Sequence, residues 1–282
     1  MPVFSRREVQ TIASSIPARV QEHNLTLVAA GVAFYAFLAF VPALIAFVSI
    51  YGLVADPSTV RSQVHGAAAA LPVEVQRFLV FQLTSIINAN TTGVSLTLVI
   101  AIVVALWSAS GGMVALITGI RIVHDQGKPR GFVSKRAQAL VLTFGAVVFL
   151  SAVVFLIAVL PPLLAEAGLG TSSRIVFGVL RWPILGVVMA IGIGMLYRLA
   201  VPENGRAGLG FITPGTVVAL SGWLIVSAAF GVYTANFARY SKTYGTLASI
   251  VVVLLWLWLS SLLVLIGAEV DAARAHSETS DG

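Results

Sequence analysis

The stretch from Tyr244 to Arg274, YGTLASIVVVLLWLWLSSLLVLIGAEVDAAR, limits what this chain can become. It carries no charge from Leu247 to Ala268. About 20 helical residues are enough to cross the hydrocarbon core of a bilayer. Trp256 and Trp258 stand in its middle, and Glu269 and Asp271 appear together where it ends. The first inference is an integral membrane protein. The two acids read either as functional groups or as a charged cluster marking the water boundary, where Asp271 can pair with Arg274 one turn on.

The whole chain agrees. Of its 282 residues 58% are hydrophobic and 10% charged, whereas soluble domains carry about 25% charged residues. Cysteine is absent, which excludes disulfides, thiol catalysis and Cys-based metal sites. The net charge of +6 reads as basic loops that set topology and touch anionic lipid, with no nucleic-acid partner expected. No cleavable leader is expected, because the first 24 residues are polar and no short apolar run follows a basic start.

The reading is all-α: a polytopic membrane protein of six transmembrane helices, with amphipathic helices at the N-terminus and in an extracytoplasmic loop. Residues 1–24 form a cytoplasmic interfacial helix, with Val9, Ile12, Ile16 and Val20 at helical spacing and Pro17 expected to bend or break it. Spans are expected at 25–54, 93–120, 137–160, 175–200, 211–237 and 246–270, with a cytoplasmic tail at 271–282. The whole is one membrane domain. Pro42 should kink the first span, and Ala29 and Ala33 offer a small-residue face to another helix. Within 55–92, Asp56-Pro57 and Pro72 each start a surface helix. Gly186, Ala190 and Gly194 repeat every four residues in the fourth span. Pro214 stands in the first turn of the fifth span, where proline is tolerated, and the short link to the sixth makes an antiparallel hairpin.

Lys and Arg set the orientation. With both termini in the cytoplasm, eleven of the 17 fall on the inner side and six on the outer. The basic segment 121–136, RIVHDQGKPRGFVSKR, decides it. Arg239 and Lys242 oppose the rule locally.

No catalytic motif is present. The four histidines are isolated, with no metal-ligand partner at helical spacing and no H-E-x-x-H. Phosphate-cradling and nucleophile-elbow motifs are missing too. The chain is read as no enzyme, with no cofactor and no metal. Polar groups inside apolar helices remain, and these usually face other helices or a water-filled path. Tyr35, Pro42, Trp107, Ser108, Gly112, Tyr233, Asn236, Tyr244 and Glu269 are the substrate-path candidates. Tyr35 either bonds a neighbouring helix or contacts substrate. The patch Trp107–Gly112 is either tight packing with back-bonded hydroxyls or a weakened helix lining a cavity. Arg121, Lys128, Arg130, Lys135, Arg136 and Arg181 are candidates for lipid and charge contacts.

Three stretches resemble the YihY/BrkB family of bacterial inner-membrane proteins, once labelled ribonuclease BN. They are AAGVAFYAFLAFVPALIAFVSIYG (29–52), LYRLAVPENGRAGLGFITPGTVVALSGWLIVSAAFGVYTANFARY (196–240) and the opening stretch. The spacings of Pro42, of Pro202 with Pro214, of Tyr233 with Asn236, and of Tyr244-Gly245 with Gly267-Ala268-Glu269 carry the likeness, while the second span matches loosely. The resemblance implies about six transmembrane helices and an inner-membrane address. It implies no settled activity: members are described as transporters or exporters, and some are linked to envelope phenotypes such as serum resistance or lipid export. No catalytic residue carries over, and the ribonuclease label does not fit these residues.

The leading expectation is a transporter or exporter of the bacterial cytoplasmic membrane with an unknown solute or lipid as cargo. The alternative is a non-transporting, lipid-interacting scaffold or virulence-associated envelope factor. Membrane lipids are partners in either case, and a homo-oligomer is possible on this sequence.

Overall fold

Apolar runs that must satisfy their backbone inside lipid have one common solution, the helix. The computed structural model describes residues 6–51, 96–124, 131–154, 171–201, 210–236 and 246–280, with positions 76 and 80 besides. Among these residues there is no strand. The helices are α1 (Arg6–Glu22), α2 (Leu25–Tyr51), α3 (Leu96–Val123), α4 (Phe132–Val154), α5 (Thr171–Ala200), α6 (Pro214–Asn236) and α7 (Thr246–Ser280). The expected helices of the loop 55–92 lie outside the described residues.

Among the described residues five helices are long and apolar enough to cross a membrane: those containing Ile102–Val123, Phe132–Val153, Trp182–Ala200, Pro214–Tyr233 and Ile250–Ala275. A sixth is reached if α1 and α2, bent by 65° at their junction, count as one broken span. Asn24 makes that bend, with φ of 50°. Its short polar side chain tolerates the left-handed region that most residues avoid. Its N–H closes α1 on the Gln21 carbonyl, and its own carbonyl accepts the N–H groups of Leu27 and Val28.

Three expectations need correction. Pro17 does not break α1; it sits within the helix on its exposed side, where an unpaired carbonyl can reach water. α4 begins at Phe132 rather than 137, because Gly131 offers its carbonyl to Lys135 N–H and so draws Lys135 and Arg136 into the helix. α7 does not stop at 270. Asp271, Ala272 and Ala273 are buried, so the next turns are held by packing.

α6 and α7 form the expected antiparallel hairpin. Trp223 Nε1 donates to Ser260 Oγ at 3.1 Å, and Trp256 Nε1 to Ser227 Oγ at 3.3 Å. Nearer the other end, Gly215 and Gly267 bring the two backbones together: a Cβ on either would run into the other's carbonyl oxygen. α2 and α3 pack as closely. The Tyr35 ring lies where a Cβ on Gly111 would be, and Val28 meets Gly119. Ala29, Val32 and Ala33 fill the seam, as the small-residue face suggested. On α5, Ala190 is buried and Gly194 abuts the Phe211 backbone, while Gly186 faces open space.

The main core joins Leu25, Ala29, Ile120, Ala139, Tyr197 and Leu265, so α2, α3, α4, α5 and α7 meet at one end of the bundle.

The glycine crossing sets a test. Gly215→Ala and Gly267→Ala should each destabilise the protein by about 1–3 kcal/mol, the usual range for overpacking. Gly186→Ala, with room for its methyl group, should be neutral or slightly stabilising. Thermal unfolding in detergent micelles measures the difference.

Candidate functional site

Polar groups collect where the ends of six helices converge. Glu269, on α7, has no exposed surface. Arg19 Nη1 donates to its Oε1 at 3.3 Å, and His23 Nδ1 lies 3.0 Å from its Oε2. Arg19 lies in the last turn of α1 and His23 just past its end, its N–H bonded to the Arg19 carbonyl, and the Asn24 bend turns both onto α7. Arg19 stays about a third exposed (31%) and His23 mostly buried (14%). A carboxylate taken fully out of water needs such partners, since removing one leaves an uncompensated charge.

Asp271 stands half a turn on and is also buried. Its Oδ1 accepts the Gly215 N–H at 2.7 Å and its Oδ2 the Thr213 hydroxyl at 2.5 Å. Both belong to the start of α6. Thr213 and Thr216 complete the cap: each backbone N–H donates to the other's hydroxyl oxygen, and the Thr216 hydroxyl returns to the Thr213 carbonyl at 2.7 Å. Pro214 at the first helical position has no N–H to satisfy.

The end of α5 is closed the same way. Arg121 is buried and its Nε donates to the Ala200 carbonyl at 2.8 Å, while its Nη2 reaches Gln138 Oε1. Gln138 Nε2 donates to the Leu199 carbonyl at 2.7 Å. A cation on the last carbonyls of a helix also meets the negative end of its dipole. Expected as a lipid or charge contact, Arg121 is instead an internal clasp between α3, α4 and α5. Tyr197, fully buried, ties α5 to α7 through its hydroxyl and the Val264 carbonyl.

The other expected site residues lie elsewhere. Tyr35 is partly exposed (41%) and packs its ring on Gly111, which favours the packing reading of that patch. Ser110, not Ser108, is the buried hydroxyl, bonded back to the Trp107 carbonyl at 2.7 Å. A Cβ on Gly112 would touch the Val32 carbonyl oxygen and Tyr35 Cβ. Trp107 is exposed, and the Arg136 guanidinium lies 3.9 Å from its ring centroid. Arg136 Nη2 also donates to the Trp107 carbonyl at 2.8 Å. Tyr233 is exposed and stacks on Phe230. Lys135 is half-buried in the first turn of α4. Positions 42, 181 and 236 lie within α2, α5 and α6, but the side chains of Pro42, Arg181 and Asn236 fall outside the described residues, as do Lys128, Arg130 and Tyr244.

So Glu269 sits in the junction while Tyr35, Trp107 and Tyr233 stand on outer faces. Arg19, His23, Thr213 and Gln138 were not singled out from sequence. Two signals existed. Arg19 and His23 are spaced one helical turn apart at the end of α1, and Thr-Pro-Gly-Thr is a helix-start signature. Among the described residues no three His, Asp or Glu side chains gather as a metal site.

A family model described as virulence factor BrkB matches residues 16–282. The chain is similar to the ribonuclease-like protein YfkH of Bacillus subtilis (strain 168), 36% identical over 180 residues, covering 61% of this chain and 63% of that protein. It is also similar to a UPF0761 membrane protein of Xanthomonas oryzae pv. oryzae (strain PXO99A), 38% identical over 85 residues, covering 30% of this chain and 20% of the relative. A UPF0761 membrane protein of Alkalilimnicola ehrlichii is 35% identical over 130 residues, 41% of this chain and 29% of the relative. The chain thus spans less than two thirds of the length of these curated relatives. No solved structure matches.

The junction predicts two separable effects. His23→Leu leaves Glu269 with a single partner and should loosen α1, seen as faster amide exchange across 14–22. Glu269→Gln keeps two hydrogen-bonding atoms and should cost less than Glu269→Ala. Asp271→Ala removes the cap of α6 and should cost about 1–2 kcal/mol, with faster exchange at the start of α6 and α1 unchanged.

Proposed function

Since the chain belongs to the virulence factor BrkB family and is a membrane protein, we propose that it is a lipid-interacting envelope factor of the bacterial cytoplasmic membrane. In this proposal it is no enzyme, and both termini are cytoplasmic. The observation behind the reading is the placement of the polar and aromatic residues within the spans. Tyr35, Trp107 and Tyr233 are exposed on outer faces, while the middle of the junction is filled by Leu25, Ile120, Tyr197 and Leu265. Aromatic rings with a polar edge on the outside of a membrane bundle meet lipid before they meet a solute. The ribonuclease-like name stays with YfkH.

Orientation follows the positive-inside count. The helix ends that meet at the junction border the basic segment 121–136, the Arg198–Arg206 segment and Arg274. In the proposal this end faces the cytoplasm.

A second reading, transport, has one observation in its favour. Glu269 is a fully buried carboxylate whose cover is α1, a helix joined to the bundle through one bend. If α1 lifted, the carboxylate would open to the cytoplasm, as a gated ion or solute site requires.

Reconstitution separates the two. In sealed proteoliposomes a panel of ions, amino acids, sugars and drugs should cross no faster than in empty vesicles. Exchanging neutral for anionic phospholipid should raise the unfolding midpoint of the detergent-solubilised protein, since a ligand of the native state stabilises it. Solute flux abolished by Glu269→Gln would overturn the lipid reading in favour of transport.

A further inference from the structure

We propose that the inner face of α4 carrying Arg136 and Thr143 binds the phosphate of an anionic phospholipid, with Arg136 holding the phosphate and Thr143 an oxygen of the glycerol ester region. The inference rests on the lipid-interacting reading and names its ligand class and place.

Arg136 is the starting point. Its guanidinium lies over Trp107, inside the apolar span Ile102–Val123 of α3. At 1.5 Å per residue Trp107 lies about 7.5 Å from the Ile102 end of that span and about 24 Å from its Val123 end. One nitrogen donates to the Trp107 carbonyl, but Nε is buried with no partner. No carboxylate lies within ion-pair distance of Arg136 among the described residues. The ring face lowers the cost of the cation by about 0.5–2 kcal/mol, which does not neutralise it. A positive charge at such depth normally pairs or meets backbone carbonyls. Here one carbonyl is met and the charge is left over.

Thr143 is the independent observation. It is two turns beyond Arg136, on the same face, and its residue is 4% exposed. Its hydroxyl has no partner. The hydroxyls of Thr118, Ser151, Ser221 and Ser261 each return to a carbonyl four residues back. Thr143 does not, although such a bond is usual for a helical threonine. A leftover guanidinium N–H and a leftover hydroxyl therefore share one helix face. A water could serve the hydroxyl but would not balance the cation.

The missing partner is then an anion with further acceptor oxygens. The planar guanidinium matches phosphate in two parallel hydrogen bonds. Phosphate could come from a lipid or from solution. The flanks decide for the lipid: Phe144, Val147 and Val148 on α4 and Val103 on α3 are exposed apolar side chains, a wall for acyl chains and a poor approach for a hydrated ion.

The test is native mass spectrometry of the full chain released from nanodiscs of equal phosphatidylglycerol and phosphatidylcholine. Wild type should retain phosphatidylglycerol over phosphatidylcholine by at least about fivefold. Arg136→Gln should abolish the preference and Arg136→Lys keep part of it. Thr143→Val, nearly the same shape, should weaken retention of both lipids and leave the preference intact. Millimolar inorganic phosphate should displace nothing. An unchanged preference in folded Arg136→Gln, or displacement of the lipid by free phosphate, would overturn the site. In the first case, retained lipid would leave the broader lipid reading standing. Wild type that retains no lipid at all would sink both.

Discussion

Asp271 closes the start of α6 from the far end of α7, and the architecture depends on contacts of this kind. A helix leaves four N–H groups open at its start and four carbonyls at its end. Where those ends are buried between other helices, water is not there to take them. The chain solves this by lending side chains across helices: Asp271 to α6, Arg121 and Gln138 to α5. Each such loan also fixes the register between two helices, because a side chain reaches only one turn of its neighbour. The junction is therefore a set of clamps, and the same clamps give it its charge.

Close approach does the remaining work. Apolar side chains gain little by leaving lipid for one another, so helices in a bilayer are held by fit. Gly215 against Gly267 and Gly111 under the Tyr35 ring let two pairs of helices approach backbone to backbone or ring to backbone. Such contacts are short-ranged, and they add up along the whole α6–α7 pair because Trp223 and Trp256 keep their indole N–H groups bonded to serines of the opposite helix. A tryptophan in mid-membrane, unexplained as an anchor, is explained as a cross-helix donor.

Much of the fold was legible because it follows from period, length and charge. The long apolar helices and the α6–α7 hairpin could be read directly, and Pro214 was placed in the first turn of its helix, three residues past the expected start. The end of α7 could not, since Asp271 marks a boundary only if acids sit in water, and this one is buried in a cap. Arg121 was misread for the same reason: a basic residue after an apolar run looks like a lipid contact until a helix end is found beside it. The partners of Glu269 were hidden because they lie about 250 positions away, on a helix read as separate from the bundle. Single-chain spacing carries no sign of such a meeting. The Asn24 bend that brings it about is one residue with a positive φ.

Glu269 and Arg136 have opposite standing. Glu269 has as many donors as it has oxygens, both from a helix whose own amphipathic face gives it another place to lie. Its charge is settled inside the protein, and any role requires α1 to move. Arg136 needs no motion to be incomplete. It stands on the outer side of α3, bound to a carbonyl that Ser110 also uses, with its buried Nε–H still open. A chain that caps its helix ends so consistently has no reason of packing to leave a guanidinium unpaired at that depth. The asymmetry points to lipid as the place where the balance of α4 is completed, and to α1 as the element that decides whether the junction stays closed.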